Sequence, residues 1–328
     1  MSADVSIRTE MAQIATSAGS VELRAAALLE CLHEMIPSAT GWIAVRDPET
    51  RLHRRVASDG DTDALARYFA LPEADDEVEA LGLNRFQPPV PASALPVPLA
   101  ETRAWGEYLI PAGFHDGVAL ALFSDDGRHL GFLSLLSADP RQETGSWGRL
   151  LPGLRPILVT ALDRLPSFAA AAQLTGDTMA GIVLTRSGRG VRIPGLPTHP
   201  LLREGSPVLA LAGRHARAPG TASSFLSPWA GALLRVTVLD GRDETADHLC
   251  SLVLIRPAEE GSHVGVSDLQ LLGALVEGWD DDRIRAHLGL RDPASRAEEL
   301  ARRRALPSTA ALVQHAARAG LYLPPVLW

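Results

Sequence analysis

The sequence predicts an α+β chain of several domains that ends in an all-α region of four short helices. Three observations predict it. Apolar runs of strand length and spacing alternate with amphipathic helical stretches from Ser20 to about Ala258. A polar, turn-rich segment, Pro257 to Ser262, reads as a linker. Beyond it, Val264 to Trp328 is filled by four short helical runs with a tight turn between the second and third. At 328 residues the chain is too long for one core. The patterns divide it into 1–165, 166–258 and 259–328.

Residues 1–19 are polar and weakly patterned, a short helix or a tail. Ser20 is an N-cap for a helix to about Ile36, with Ala25, Leu28, Leu29, Leu32 and Ile36 on one face. Gly41 to Val45 and Leu52 to Ala57 read as a hairpin across Asp47-Pro48. Amphipathic helical pieces lie between Asp61 and Leu83, and the proline-rich stretch Gln87 to Leu99 must be an extended loop. Val118 to Phe123 and Leu130 to Leu136 form a second hairpin, joined by a turn with the Asp126-Gly127 pair that positive-φ turns favour. A helical segment from about Gly145 to Leu165 is broken or kinked by Pro152 and Pro156. This order resembles, in layout and without a diagnostic motif, a GAF-like sensor domain.

The second region opens with an Ala-rich helix from Ser167 to about Ala180. Gly181 to Thr185 and Val191 to Ile193 read as strands, Val208 to Ala216 as a helix, and Leu233 to Leu239 with Leu249 to Ile255 as paired strands across residues 240–244. Mixed short strands and helices suggest a PAS-like α+β domain.

In the terminal region Ser267 and Gln270 have the spacing of a capping box for the first helix, with Leu269, Leu272 and Val276 on one face and Gly278 ending it. A second helix from Asp280 buries Ile284 and Leu288, and Gly289 permits the turn. Asp292 caps the third helix with Pro293 at its first position. Its inner stripe is Ala294, Ala297, Leu300 and Ala301, which leaves Arg296, Glu299, Arg302 and Arg303 outside. Leu312, Ala316 and Ala319 of the last helix close the bundle.

The runs Leu275 to Ile284, Leu306 to Thr309 and Ala317 to Pro324 resemble the C-terminal domain of LuxR-type regulators, in particular actinobacterial ones with a sensor-like N-terminal region. Upstream, Leu81 to Arg85, Trp105 to Phe114, Gly127 to Gly131 and Gly195 to Leu202 resemble the same set. The resemblance implies a DNA-binding transcriptional regulator, homodimeric on double-stranded DNA, with a helix-turn-helix reader. It would contact DNA through Arg291, Ser295, Arg296, Glu299, Arg302 and Arg303. The run Arg302 to Arg304 fits phosphate contact and also a solvated helix end, where cations suit the helix dipole. Two departures stand out. The junction from Leu290 to Pro293 is about two residues shorter than the family pattern, and Asp280, Asp281 and Asp282 open the second helix. From Val264 to Trp328 there are eight Arg and eight Asp plus Glu, a net charge of zero. The alternative is therefore a degenerate regulator whose terminal region serves dimerisation or protein interaction.

Composition narrows the rest. All 31 basic residues are Arg, which excludes chemistry built on a lysine ammonium. The net charge of −8 confines any polyanion contact to a locally basic face. Cys31 and Cys250 sit in apolar patterns and read as buried thiols of a reducing compartment. No metal-ligand spacing, nucleophile elbow or nucleotide fingerprint occurs, so neither an enzyme nor a cofactor is expected. Without a membrane-length run or a signal-peptide layout, the expected location is cytoplasmic. Trp42, Trp105, Tyr108 and Phe114 could wall a pocket for a small apolar ligand, or simply pack.

Overall fold

From Thr40 to Val45 every residue of β1 (Thr40–Arg46) is buried, so its sheet must be covered on both faces. The structure is a computed structural model. It describes residues 3–84, 89–218, 222–241, 248–258 and 264–328. The chain divides into two compact units, Met1–Arg164 with Asp243–His248, and Leu165–Arg242 with Leu249–Trp328.

In the first unit, α1 (Ala3–Thr16) and α2 (Val21–Met35) precede β1 and β2 (His53–Asp59). Next come α3 (Asp63–Phe69), α4 (Glu73–Ala80) and a π-helical segment, Ala104–Leu109. β3 (Asp116–Phe123), β4 (His129–Ser137), α5 (Gly145–Leu150) and α6 (Arg155–Leu162) complete it. The sheet is antiparallel in the order β2-β1-β4-β3. Alternation along the strands sorts the side chains into two cores. Ile43, Val45, Leu120, Leu133 and Leu135 pack with α1, α2 and α6, whereas Trp42, Ala44, Phe132 and Leu136 pack with α3, α4 and the π-helical segment.

Ser20 caps α2 as expected, its hydroxyl accepting from Leu23 N at 3.3 Å. Residues 3–16 form a full helix, because Met11 and Ala15 supply buried anchors that a weak pattern hides. The helical segment expected to be broken or kinked is broken into α5 and α6, separated by a 3₁₀ turn at Leu151–Gly153 where Pro152 removes a donor. The proline-rich loop is described from Pro89 onward and contains short 3₁₀ turns at Ala92–Ala94 and Leu99–Glu101; Gln87 and Pro88 lie outside the described residues, as does Arg85.

The second unit runs α7 (Leu165–Leu174), β5 (Ala180–Thr185), β6 (Gly190–Arg192), α8 (Pro207–Arg217), β7 (Ala222–Trp229), β8 (Ala232–Asp240) and β9 (Leu249–Pro257). Four helices follow, α9 (Val266–Val276), α10 (Asp281–Leu288), α11 (Pro293–Arg303) and α12 (Thr309–Ala319). Its antiparallel sheet has the order β6-β5-β9-β8-β7. β8 pairs with β9 as the sequence suggests, although residues 242–244 of their expected turn lie outside the described residues. The sequence reading missed β7, whose alternation is obscured by Ser223, Ser224, Ser227 and Pro228 although Phe225 is fully buried. Most of the expected linker, residues 259–262, also lies outside the described residues.

The four helices share one core with the sheet: Leu271, Ile284, Leu300 and Leu312 belong to the same cluster as Phe225, Val236 and Ile255. Residues 319–324 make the junction. Arg235, 8% exposed on β8, donates to the α12 end at Ala319 O (2.6 Å). Leu226 N of β7 donates to Tyr322 O at 2.9 Å, and Leu323 N donates to Leu269 O of α9 at 3.0 Å. Two glycines permit the approach. Gly320 has φ 61° and lies so close to Ser224 that a side chain would overlap it, and Gly273 presses against the Leu323 carbonyl. Gly273→Ala is therefore expected to lower unfolding free energy by about 2 kcal/mol, measured by urea denaturation. A loss under about 0.5 kcal/mol would mean that the approach is not needed.

Candidate ligand cavity and helical surface

Two places in the chain gather candidate functional side chains. The first is the surface of α11. Asp280 caps α10 by accepting from Arg283 N at 2.8 Å, and Gly289 ends it in the left-handed region at φ 65°. Asp292 accepts from Ser295 N at 3.0 Å with Pro293 at the first turn of α11. α11 buries Pro293, Ala297, Leu300 and Ala301. Ala294, expected inside, is exposed, because the buried stripe runs Pro293, Ala297, Leu300 and Ala301 and Ala294 lies beside it. The expected capping box of α9 does not form: Gly265 is the N-cap and Ser267 lies within the first turn.

The six expected DNA-contact residues divide in half. Arg296, expected outside, turns back onto α9: its Nε and Nη2 donate to the two carboxylate oxygens of Asp268 at 2.8 and 2.9 Å. Its Nη1 donates to Glu299 at 2.7 Å, and Glu299 also pairs with Arg303. The bond from Arg296 holds the Glu299 carboxyl below its usual range. Asp268 lies 28 residues before Arg296, so no local pattern announces the pair. Arg291, Ser295 and Arg302 remain exposed, and among the described residues their side chains make no hydrogen bond or ion pair.

The second place is a small cavity in the first unit, about 80 Å³ in volume. Leu65, Tyr68 and Phe69 of α3, Val78 of α4, and Ala104, Trp105 and Leu109 of the π-helical segment form one side. Val118, Ala119, Ser134 and Leu136 of the sheet form the other. Of the four expected ligand residues, Trp105 lines this space. Trp42 stacks flat on Phe69, ring centroids 4.8 Å apart, and so stands behind the wall. Tyr108 meets the Tyr68 ring at 5.8 Å, and Phe114 is buried in the same hydrophobic cluster; neither lines the cavity.

Sequence reasoning missed the residue that fixes the wall. Glu77 accepts from Tyr68 Oη at 2.6 Å and from the backbone N–H groups of Arg103 (2.5 Å) and Ala104 (3.0 Å). One carboxylate thus ties α3 to the start of the π-helical segment. Burial, then the bond to Glu77, pushes the Tyr68 phenol far up, so it stays protonated and donates.

Beside the wall lies a buried ionic cluster. Asp75 is 1% exposed and accepts from Arg46 (3.0 and 2.7 Å) and Arg51 (2.7 Å), with His53 Nε2 at 3.1 Å. Burial alone would raise the Asp75 carboxyl; bonds from His53, Arg46 and Arg51 outweigh it and hold it well below the usual carboxylate range. His53 packs on Phe69 at 4.9 Å, and burial lowers its imidazole despite Asp75. Burial, then the neighbouring His53 and Arg46, pushes His129 down to about 4. Among the described residues no cluster could hold a metal ion, and no helix is long and apolar enough to cross a membrane.

No protein-family model and no curated protein matches the sequence. Several solved structures are similar. The bacteriophytochrome RpBphP3 from R. palustris shares 11% identity at a TM-score of 0.38, over 78% of this chain and 64% of that one. This chain therefore spans less than two thirds of that protein. A phycoerythrobilin-bound GAF domain from a cyanobacterial phytochrome shares 16% at 0.37, covering 49% of this chain and 95% of that one. The GAF domain of an Acinetobacter phosphoenolpyruvate-protein phosphotransferase shares 15% at 0.35, covering 54% and 98%. The likenesses are loose at these scores.

Asp75→Asn should lower stability at pH 7 by about 2–3 kcal/mol. Because the folded carboxyl titrates below its unfolded value of about 3.9, its contribution is full above that value and is lost as pH falls through the folded one. Denaturation at pH 7 and pH 3 should accordingly show a smaller acid loss in the variant than in the parent, and equal losses would contradict this. Arg296→Ala should cost about 1–2 kcal/mol through the bonds to Asp268, read from the thermal midpoint; an unchanged midpoint would count against that pairing.

Proposed function

We propose that the protein is a cytoplasmic, LuxR-like transcriptional regulator. On this reading its first unit is a GAF-like sensor that takes a small apolar molecule, and the sheet of the second unit is PAS-like. The four terminal helices then engage double-stranded DNA as a homodimer. The observation that carries the DNA reading is α11 itself, a helix with one buried stripe and one polar face that presents Ser295, Glu298 and Arg302, preceded by exposed Arg291. The contact set is thereby narrowed to Arg291, Ser295 and Arg302, since Arg296, Glu299 and Arg303 satisfy one another and Asp268. The cavity supports the sensing half, being apolar on both sides with Tyr68 already committed to Glu77. Ligand binding would change how two copies of the helical region are presented to matching half-sites.

A second reading has its own support. The ion pairs remove two arginines from the α11 surface, and Asp280, Asp281 and Asp282 stand at the start of α10, with Asp281 and Asp282 exposed. On that reading the terminal helices are a dimerisation or protein-interaction module without sequence-specific DNA binding.

Fluorescence anisotropy with the DNA upstream of the gene, at low salt and across a salt series, separates the two. The DNA reading expects binding that weakens by about tenfold in an Arg291→Ala, Arg302→Ala double variant. The salt slope should fall by about one for each phosphate that no longer meets an arginine. No binding at any protein concentration favours the interaction module. Binding that the double variant leaves unchanged would overturn the placement of the contact face.

A further inference from the structure

We infer that the cavity of the first unit selects an uncharged, mainly apolar molecule that carries one hydrogen-bond-accepting oxygen, a carbonyl or a hydroxyl, and that Ser134 and Trp105 read that oxygen. The inference rests on the sensing role proposed above and names the class of ligand.

Its first support is an inventory of polar side chains in the wall. Among the described residues, Tyr68, Trp105 and Ser134 are the lining residues that carry a polar side-chain atom. The Tyr68 hydroxyl is spent on Glu77 at 2.6 Å. The Trp105 indole N–H and the Ser134 hydroxyl make no hydrogen bond among the described residues. Both residues are otherwise well buried, Trp105 at 7% and Ser134 at 6% exposure. Neither atom is sealed off from solvent, so a ligand oxygen can take the place of water on each.

A further unmet donor lies behind the wall. Trp42 stands directly opposite Ser134 in the β1–β4 register. It is 1% exposed, and its Nε1 is buried without any hydrogen-bond partner. Trp42 is stacked on Phe69 and does not line the cavity, so the donors open to a ligand are those of Trp105 and Ser134. An indole N–H can only donate, and a serine hydroxyl can donate, so the complementary ligand atom is an acceptor.

Charge sets the limit on the class. Among the described residues no Arg or His lines the cavity. From those residues a carboxylate or phosphate entering it would find no counter-ion, which disfavours anions. Asp and Glu are likewise missing from the described lining, so a cationic ligand finds no partner among those residues.

Three probes of one shape test this by equilibrium dialysis against the full chain: a methyl naphthyl ketone, the matching ethylnaphthalene and the matching naphthoate. The ketone should bind about five- to tenfold more tightly than the hydrocarbon, the gain of a completed hydrogen bond. The naphthoate should bind more weakly than both. In Ser134→Ala and in Trp105→Phe, the preference for ketone over hydrocarbon should shrink while hydrocarbon binding persists. If no probe binds, the sensing role of the cavity falls with the inference. If ketone and hydrocarbon bind equally to the parent chain, the cavity stands and the inference falls. Naphthoate binding as tight as the ketone's also overturns it, as does a variant pair that leaves the ketone preference intact. Thermal midpoints of the variants confirm that each is folded before it is compared.

Discussion

Both units depend on one constraint: a central strand that is apolar on both sides must be covered twice. β1 and β4 impose it in the first unit, and β9, buried from Leu249 to Ile255, imposes it in the second. The two units answer differently. In the first, α1, α2 and α6 close one face tightly around Trp147, Leu151 and Leu158, and the other face is covered by short helices that leave a cavity. In the second, α7 contributes to one core and α8, with the terminal four-helix region, to the other. The region expected to function separately is thus also part of a hydrophobic core.

Polar groups follow the same division of labour. Where a short helix forms a wall, a carboxylate ties it down, as Glu77 does for the π-helical segment and Asp75 for the β1–β2 hairpin. In α11 the same device works against another use. Once Asp268 and Glu299 hold Arg296, the guanidinium that a phosphate would need is already bonded. Stability of the helix and affinity for a polyanion compete for the same side chain, and here stability holds Arg296 and Arg303.

Local signals were legible in the sequence. The Ser20 and Asp292 caps, the start of α10 at Asp280, the Gly289 break and the β3–β4 hairpin were all readable, because each is decided within about four residues. Reading failed where the deciding partner is distant. Met11 needs a core to show that α1 is a helix, β7 is recognisable only once β8 lies beside it, and Arg296 finds Asp268 across the bundle. The cavity illustrates the difference well. Trp105 was legible as an aromatic lining residue, but Trp42 and Phe114 are equally aromatic and lie in packed wall, a distinction that only strand facing and stacking decide.

The last residues of the chain have a consequence beyond holding α12 in place. β7 is the outer strand of its sheet, and outer strands offer free N–H and C=O groups to any passing chain. Here Gly320 sits against Ser224, Tyr322 takes the Leu226 N–H, and Pro228 has no N–H to offer. Residues 320–322 thus lie along part of this border and take up one of its outward N–H groups, which leaves less of it open to pairing with another strand.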